Sequence, residues 1–195
     1  MKLTKIHTKF NTDKGVAHNY IPWYEETFSD HRTENLKILE IGVLFGDSLK
    51  MWEMYFENSL IYGIEDFSQK DGHEFHDYKP VDKKIIMKDI NSHERITLLN
   101  FDCEDITEIK YNLSDNLFDI IIDDASHKLD QQIKNLENYS SYLNENGIYI
   151  IEDVQTRENA NLLIRTCEKL YPNKKCSSIE FNIHSRTDDR IVVLY

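Results

Sequence analysis

Short β-branched runs alternate with amphipathic segments along this chain, and that alternation limits its fold more than any other feature. Phe118-Asp-Ile-Ile-Ile-Asp-Asp124 is the clearest run, apolar at its centre and polar at its edges. Lys37-Ile-Leu-Glu-Ile-Gly-Val43, Leu60-Ile-Tyr-Gly-Ile-Glu65 and Gly147-Ile-Tyr-Ile-Ile151 have the same character, and residues 84–87 and 95–101 are further strand candidates. Helical spacing appears between them. Leu49, Trp52 and Phe56 share a face over 47–56, and Ile133, Leu136, Tyr139 and Leu143 do so over 130–143, with Asn146-Gly147 read as a C-cap. Residues 157–170 read as a further helix, and 179–183 with 190–195 suit a final antiparallel pair. Apolar strands separated by helices predict an α/β fold with a largely parallel sheet covered on both faces.

At 195 residues the chain fits one domain, 1–195, with 1–34 a helical lead-in and 35–195 the core. Tyr20, Tyr24 and Phe28, with Trp23 beside them, have the spacing of a helix that packs on the main body. Cys103, Cys167 and Cys176 show no metal-ligand spacing and read as reduced structural thiols. No apolar run is long enough to span a bilayer, and the first residues lack the apolar centre of a signal peptide. The expectation is therefore a cytoplasmic protein with no membrane partner. A formal net charge of -12 repels phosphate backbones and speaks against a nucleic-acid partner; a homo-oligomer is left open.

In such sheets ligands bind beyond the carboxyl ends of the strands. The first strand ends in Glu40-Ile-Gly42-Val-Leu-Phe-Gly46-Asp-Ser48, where glycines permit close backbone approach by a ligand. The pattern G-x-G-x-x-G is not met, because Leu44 stands where its second glycine would be, so a pyrophosphate cradle is disfavoured. Glu65 ends the second strand, where an acid can accept hydrogen bonds from both hydroxyls of a ribose. Asp123, Asp124 and His127 follow the fourth strand, and Glu152 and Asp153 the fifth. If those strands are neighbours, Asp124, Glu152 and Asp153 converge and raise one another's pKa unless a cation relieves them. Hard oxygen donors suit Mg2+, or Mn2+ or Ca2+. His127 would stand near that metal as a base for a hydroxyl whose pKa the metal lowers. The structural alternative is that Asp123 or Asp124 caps the next helix and His127 is merely exposed.

Taken together these motifs resemble the metal-dependent sugar O-methyltransferases of macrolide biosynthesis (mycinamicin and demethylmacrocin types) and the related proteins labelled cephalosporin hydroxylase. The matching segments are Thr12-Asp-Lys-Gly-Val-Ala-His18-Asn-Tyr20, the stretch from Glu40 to Trp52, Ile122-Asp-Asp-Ala-Ser-His127, and Glu152-Asp153. Ala125 replaces the family's usual glycine. The resemblance implies a Rossmann-like class I methyltransferase fold, with seven strands and a C-terminal antiparallel hairpin. It implies S-adenosylmethionine as cofactor, bound by Glu40, Gly42, Gly46, Ser48, Glu65, Asp102 and Asp123. Gly42 and Gly46 would line its methionine part, Glu65 its ribose and Asp102 its adenine, with Asp89 competing for that last place. Asp124, Glu152 and Asp153 would bind Mg2+, and His127 would be the general base.

The implied activity is methyl transfer to a hydroxyl of a sugar, glycan or natural-product acceptor. A phosphorylated or catechol-like metabolite is the alternative acceptor, and a non-catalytic S-adenosylmethionine-binding module the alternative class. The histidines and acids give no clear 2-His-1-carboxylate spacing for an iron oxygenase, which ranks a hydroxylase low. The larger macrolide enzymes carry an additional N-terminal domain that these residues do not include, so a macrolide acceptor is not assumed. Residues 67–82, with His73, His76 and Tyr78, read as a loop rather than a lid over the acceptor.

Overall fold

The computed structural model of the protein describes residues 1–68, 82–181 and 186–195. His73, His76 and Tyr78 of the expected loop lie outside them, as do residues 182–185. Seven strands form one sheet: β1 (Lys37–Ile41), β2 (Leu60–Ile64), β3 (Ile96–Leu99), β4 (Phe118–Asp123), β5 (Leu143–Ile151), β6 (Cys176–Glu180) and β7 (Arg190–Leu194), in the order β3-β2-β1-β4-β5-β7-β6. The first five are parallel, and β7 runs antiparallel between β5 and β6. This is the Rossmann-like methyltransferase architecture, and the parallel sheet and C-terminal antiparallel pair are as expected.

Side chains alternate along each strand, so the sheet has two apolar faces. Ile38, Ile120, Ile122, Ile150 and Ile191 face one way. They pack against α1 (Leu3–Ile6), α2 (Tyr20–Phe28), α3 (Asp47–Tyr55) and α4 (Lys83–Ile90). Leu39, Ile41, Ile121, Tyr149, Ile151 and Val192 face the other way, against α5 (Ile106–Leu113), α6 (Leu129–Tyr139) and α7 (Arg157–Leu170). The lead-in helix α2 joins α3 through aromatic contacts: the Tyr24 and Trp52 rings lie 4.9 Å apart, and those of Phe28 and Phe56 5.8 Å apart.

Several expected elements differ. Residues 84–87 are not a strand but part of helix α4. Ile86 and Ile90, four residues apart, are buried while Ile85 is exposed, and the Asp82 carboxylate caps the helix by accepting from the Lys84 backbone N–H. Helix α6 ends at Tyr139 in a 3-10 turn, Ser140–Tyr142. Asn146-Gly147 therefore caps no helix and lies within β5, where the register to β4 shifts. Helix α5 has no counterpart among the expected elements. Strand β6 starts at Cys176, three residues earlier than anticipated.

Register brings the strand ends level. Ile41 pairs with Asp123, and Asp123 with Ile151. The pairing runs one residue further: the Asp124 N–H donates to the Ile41 carbonyl, Glu152 N–H to the Asp123 carbonyl, and Gly42 N–H to the Ile64 carbonyl. Gly42, Asp124 and Glu152 thus leave the sheet side by side, where the chain order reverses between β1 and β4. Trp52 fastens the lead-in to this sheet, so Trp52→Ala is expected to cost about 3–5 kcal/mol of stability, read as a lower urea midpoint with an unchanged slope.

Candidate active site

A cleft of about 640 Å³ opens over the carboxyl ends of β1, β2 and β4. Its floor is the turn Gly42–Phe45, one end reaches Glu65, Asp102 and Cys103, and the other reaches Asp124 and His127. The lead-in residues Thr12, Asp13, Val16 and Ala17 form a side wall.

The turn after β1 needs its glycines for steric reasons within the fold. Gly42 has φ +85°, and a Cβ there would run into the Asp124 carbonyl and lie 2.6 Å from the Ala125 Cα. Gly46, at φ +79°, precedes α3, and a Cβ there would lie 2.7 Å from the Ile90 Cγ1. Leu44 between them also takes a positive φ, +52°. Glu65 binds this turn directly: its Oε2 accepts from the N–H groups of Val43 at 3.0 Å and Leu44 at 2.9 Å, and its Oε1 from that of Phe67 at 2.9 Å.

The strand-end acids separate by face. Glu40 and Glu152 share the parity of Ile38 and Ile150 and point toward the lead-in. Asp123 has the opposite parity. It accepts a hydrogen bond from Asn135 of α6 at 3.0 Å, is buried, and is not among the residues that line the cleft. Burial pushes its carboxyl up to about 7. Of the other cofactor residues the sequence implied, Gly42, Ser48, Glu65 and Asp102 line the cleft, whereas Glu40 lies beneath it and Gly46 packs against α4. Asp89 is on α4, ion-paired with Lys50 at 3.0 Å and away from the cleft lining.

The ammonium of Lys14, only 1% exposed, sits among three carboxylates from three strands. It contacts Asp124 Oδ2 at 2.6 Å, Glu40 Oε1 at 3.2 Å and Glu152 Oε2. Tyr24 donates to the other oxygen of Glu152 at 2.6 Å. Burial opposes the charge on Lys14, but Asp124, Glu152 and Glu40 outweigh it and hold its pKa well above the usual range. Burial likewise pushes Asp124 up, and there Lys14 and His127 win, leaving that carboxyl well below its ordinary value. For Glu152 burial prevails over Lys14 and the pKa is raised. Burial raises Glu40 to about 7 against the pull of Lys14.

Asp153 and His127 complete the site. Asp153 Oδ1 accepts from Tyr20 at 2.7 Å and lies 3.4 Å from His18 Nε2, and Asp153 Oδ2 lies 3.5 Å from His127 Nδ1. His127 Nε2 lies 3.2 Å from Asp124 Oδ1. Burial works against a charged imidazole, but Asp124, then Asp153, outweigh it and push His127 up to about 9. Asp153 is raised to about 6, mainly by burial and by Asp124. Both His127 and Asp153 have positive φ, +59° and +54°, a strained backbone state held by the surrounding packing. Asp124, His127 and Asp153 present potential ligand atoms all within 4.8 Å of one another, a spacing that fits one hard cation. Glu152, with both oxygens engaged, is outside that group. For Lys14, His18 and Tyr20 the sequence left two roles open, closing the cofactor site or holding the lead-in helix in place, and Tyr24 was read only as part of that helix.

No family model matches the chain. Among curated proteins it is 28% identical over 163 residues to 8-demethyl-8-alpha-L-rhamnosyl tetracenomycin-C 2'-O-methyltransferase of Streptomyces olivaceus, covering 79% of this chain and 38% of that protein. It is 28% identical over 165 residues to demethylmacrocin O-methyltransferase of Streptomyces fradiae, covering 79% of this chain and 36% of that protein. The chain thus spans well under half the length of these relatives, and it resembles the macrolide sugar O-methyltransferases in sequence as anticipated. A solved structure of MycE methyltransferase from the mycinamycin biosynthetic pathway, in complex with Mg, SAH and mycinamycin VI, superposes with a TM-score of 0.71 at 20% identity. The match covers 100% of this chain and 54% of that one, and the two share a fold.

The close approach at Gly42 gives a direct check on this geometry. Gly42→Ala should destabilise the protein by about 1–3 kcal/mol, measured by chemical denaturation, because both the positive φ and the Asp124–Ala125 backbone oppose a methyl group.

Proposed function

We propose that this chain is a methyltransferase domain, read as one unit over 1–195, that moves the methyl of S-adenosylmethionine to a hydroxyl of a sugar, glycan or natural product with the help of Mg2+. The observation that carries the reading is the composition of the cleft. A glycine turn forms its floor, an acid from the end of β2 lies at one end, and Asp124 and His127 lie at the other, with Asp153 behind them in contact with His127. The O-methyltransferase names of the relatives support the same reaction class.

When bound, S-adenosylmethionine supplies a methyl group made electrophilic by its sulfonium. Gly42 lines the part of the cleft assigned to its methionine end and Asp102 the part assigned to its adenine, and Ser48 is also in the lining. Glu65 suits the ribose hydroxyls, and holding them requires it to share oxygens that now accept from Val43, Leu44 and Phe67. Its contact with the turn would therefore report on cofactor binding.

Asp124 and Asp153, grouped with His127, are the acids best placed to hold Mg2+, Asp124 in exchange for its contact to Lys14, while Glu152 joins only by giving up a contact to Lys14 or Tyr24. Mg2+ held there would lower the pKa of an acceptor hydroxyl. His127 then receives the hydroxyl proton. In the metal-free protein Asp124 and Asp153 hold a proton on the imidazole, and committing those carboxylates to a cation frees it for the base role. Contacts to Asp124 and Asp153 position the His127 ring at the edge of the cleft.

Transfer of labelled methyl from S-adenosylmethionine to a panel of glycosides with neighbouring hydroxyls, with and without Mg2+, tests this reading. Wild type should label at least one acceptor only with Mg2+. His127→Ala should lower turnover by about 10²–10⁴-fold with cofactor affinity retained. Equal loss of turnover and cofactor binding would remove His127 from the role of base.

A further inference from the structure

We propose that Lys14 is the internal counter-cation of the strand-end carboxylates, and that a divalent ion competes with its ammonium for the oxygens of Asp124 and Glu152. The inference rests on the metal reading above and concerns what the lead-in does to that site.

Three observations carry it. The Lys14 ammonium meets Asp124 Oδ2 and Glu152 Oε2 directly, and a cation ligated by those acids would need the same lone pairs. Among the described residues no other cationic side chain pairs with Glu40 or Glu152, so two buried carboxylates depend on this one charge. Lys14 is itself buried, but it sits within the segment that forms the wall of the cleft. It belongs to the 3-10 turn Asp13–Gly15, whose start is capped by Thr12 accepting from the Lys14 N–H, and Thr12, Asp13, Val16 and Ala17 line the cleft. Displacing the ammonium therefore loosens the segment that borders the cofactor. Tyr24 on Glu152, and Tyr20 and the adjoining His18 on Asp153, hold the following helix to the strand-end acids by contacts that do not involve Lys14. The loosening is confined to the turn and does not release α2.

The charge balance fixes the direction. With Lys14 in place, Glu40, Asp124 and Glu152 share one ammonium, and Asp124 also has His127. Added positive charge is opposed by Lys14 at short range, and removing the ammonium lifts that opposition. A residue serving only to orient ligands would behave in the opposite way, because its loss would weaken the ion.

The test is Mn2+ binding by electron paramagnetic resonance, together with hydrogen exchange of the full chain. Lys14→Met should bind Mn2+ about tenfold or more tighter than wild type. In wild type, saturating Mn2+ should speed exchange at amides 12–17 while α2 stays protected. Equal or weaker Mn2+ binding by Lys14→Met overturns the competition, as does unchanged or slower exchange at 12–17. Should Lys14→Met fail to fold, the wild-type exchange alone decides. No Mn2+ binding by either protein overturns the metal reading itself, a result distinct from Mn2+ binding without competition.

Discussion

The parallel register of β1, β4 and β5 is the constraint on which the site depends. It places Ile41, Asp123 and Ile151 in one row, so the residues that follow them emerge together. Because two of those residues are Asp124 and Glu152, and Glu40 lies just before the end of β1, the row gathers negative charge where desolvation is strong. Such a cluster does not stand without cations. Lys14 and His127 supply them, and the tyrosines of α2 donate the remaining hydrogen bonds. The lead-in is thus bound to the sheet twice: through aromatic packing on α3, and through polar contacts at the strand ends.

Much of this was legible in the sequence, for identifiable reasons. The runs at β1, β2, β4 and β5 are long, β-branched and polar at their ends, and 157–170 has clear helical spacing. Residues 84–87 were misread because three adjacent apolar residues carry no periodicity; the spacing of Ile86 and Ile90 across the longer window held the answer. Asn146-Gly147 has the composition of a helix end but serves an irregular strand. The row of acids could be found from the strand ends alone. Side-chain parity, also in the sequence, separates Asp123 from Glu40 and Glu152, and would have placed Asp123 against α6. Lys14 could not be reached that way, since its partners lie 110 and 138 residues away.

The glycine turn has a meaning beyond ligand approach. Gly42 is excluded from bearing a side chain by the β4–α6 connection, which carries Asp124 and His127. The glycine turn that floors the cleft and the candidate base therefore meet at one backbone contact, and positive φ at Leu44, His127 and Asp153 marks the surrounding loops as held rather than relaxed. Val16 is 74% exposed beside these polar groups, so the wall of the cleft offers an apolar surface next to the candidate chemistry.

The proposed methyl transfer requires that the cleft bind S-adenosylmethionine. Calorimetric titration of S-adenosylmethionine into the protein, in the presence and absence of Mg2+, tests it most directly. Saturable one-to-one binding, weakened by Glu65→Ala, is the expected result. No heat of binding under either condition, with folded protein confirmed in the same sample, would contradict it.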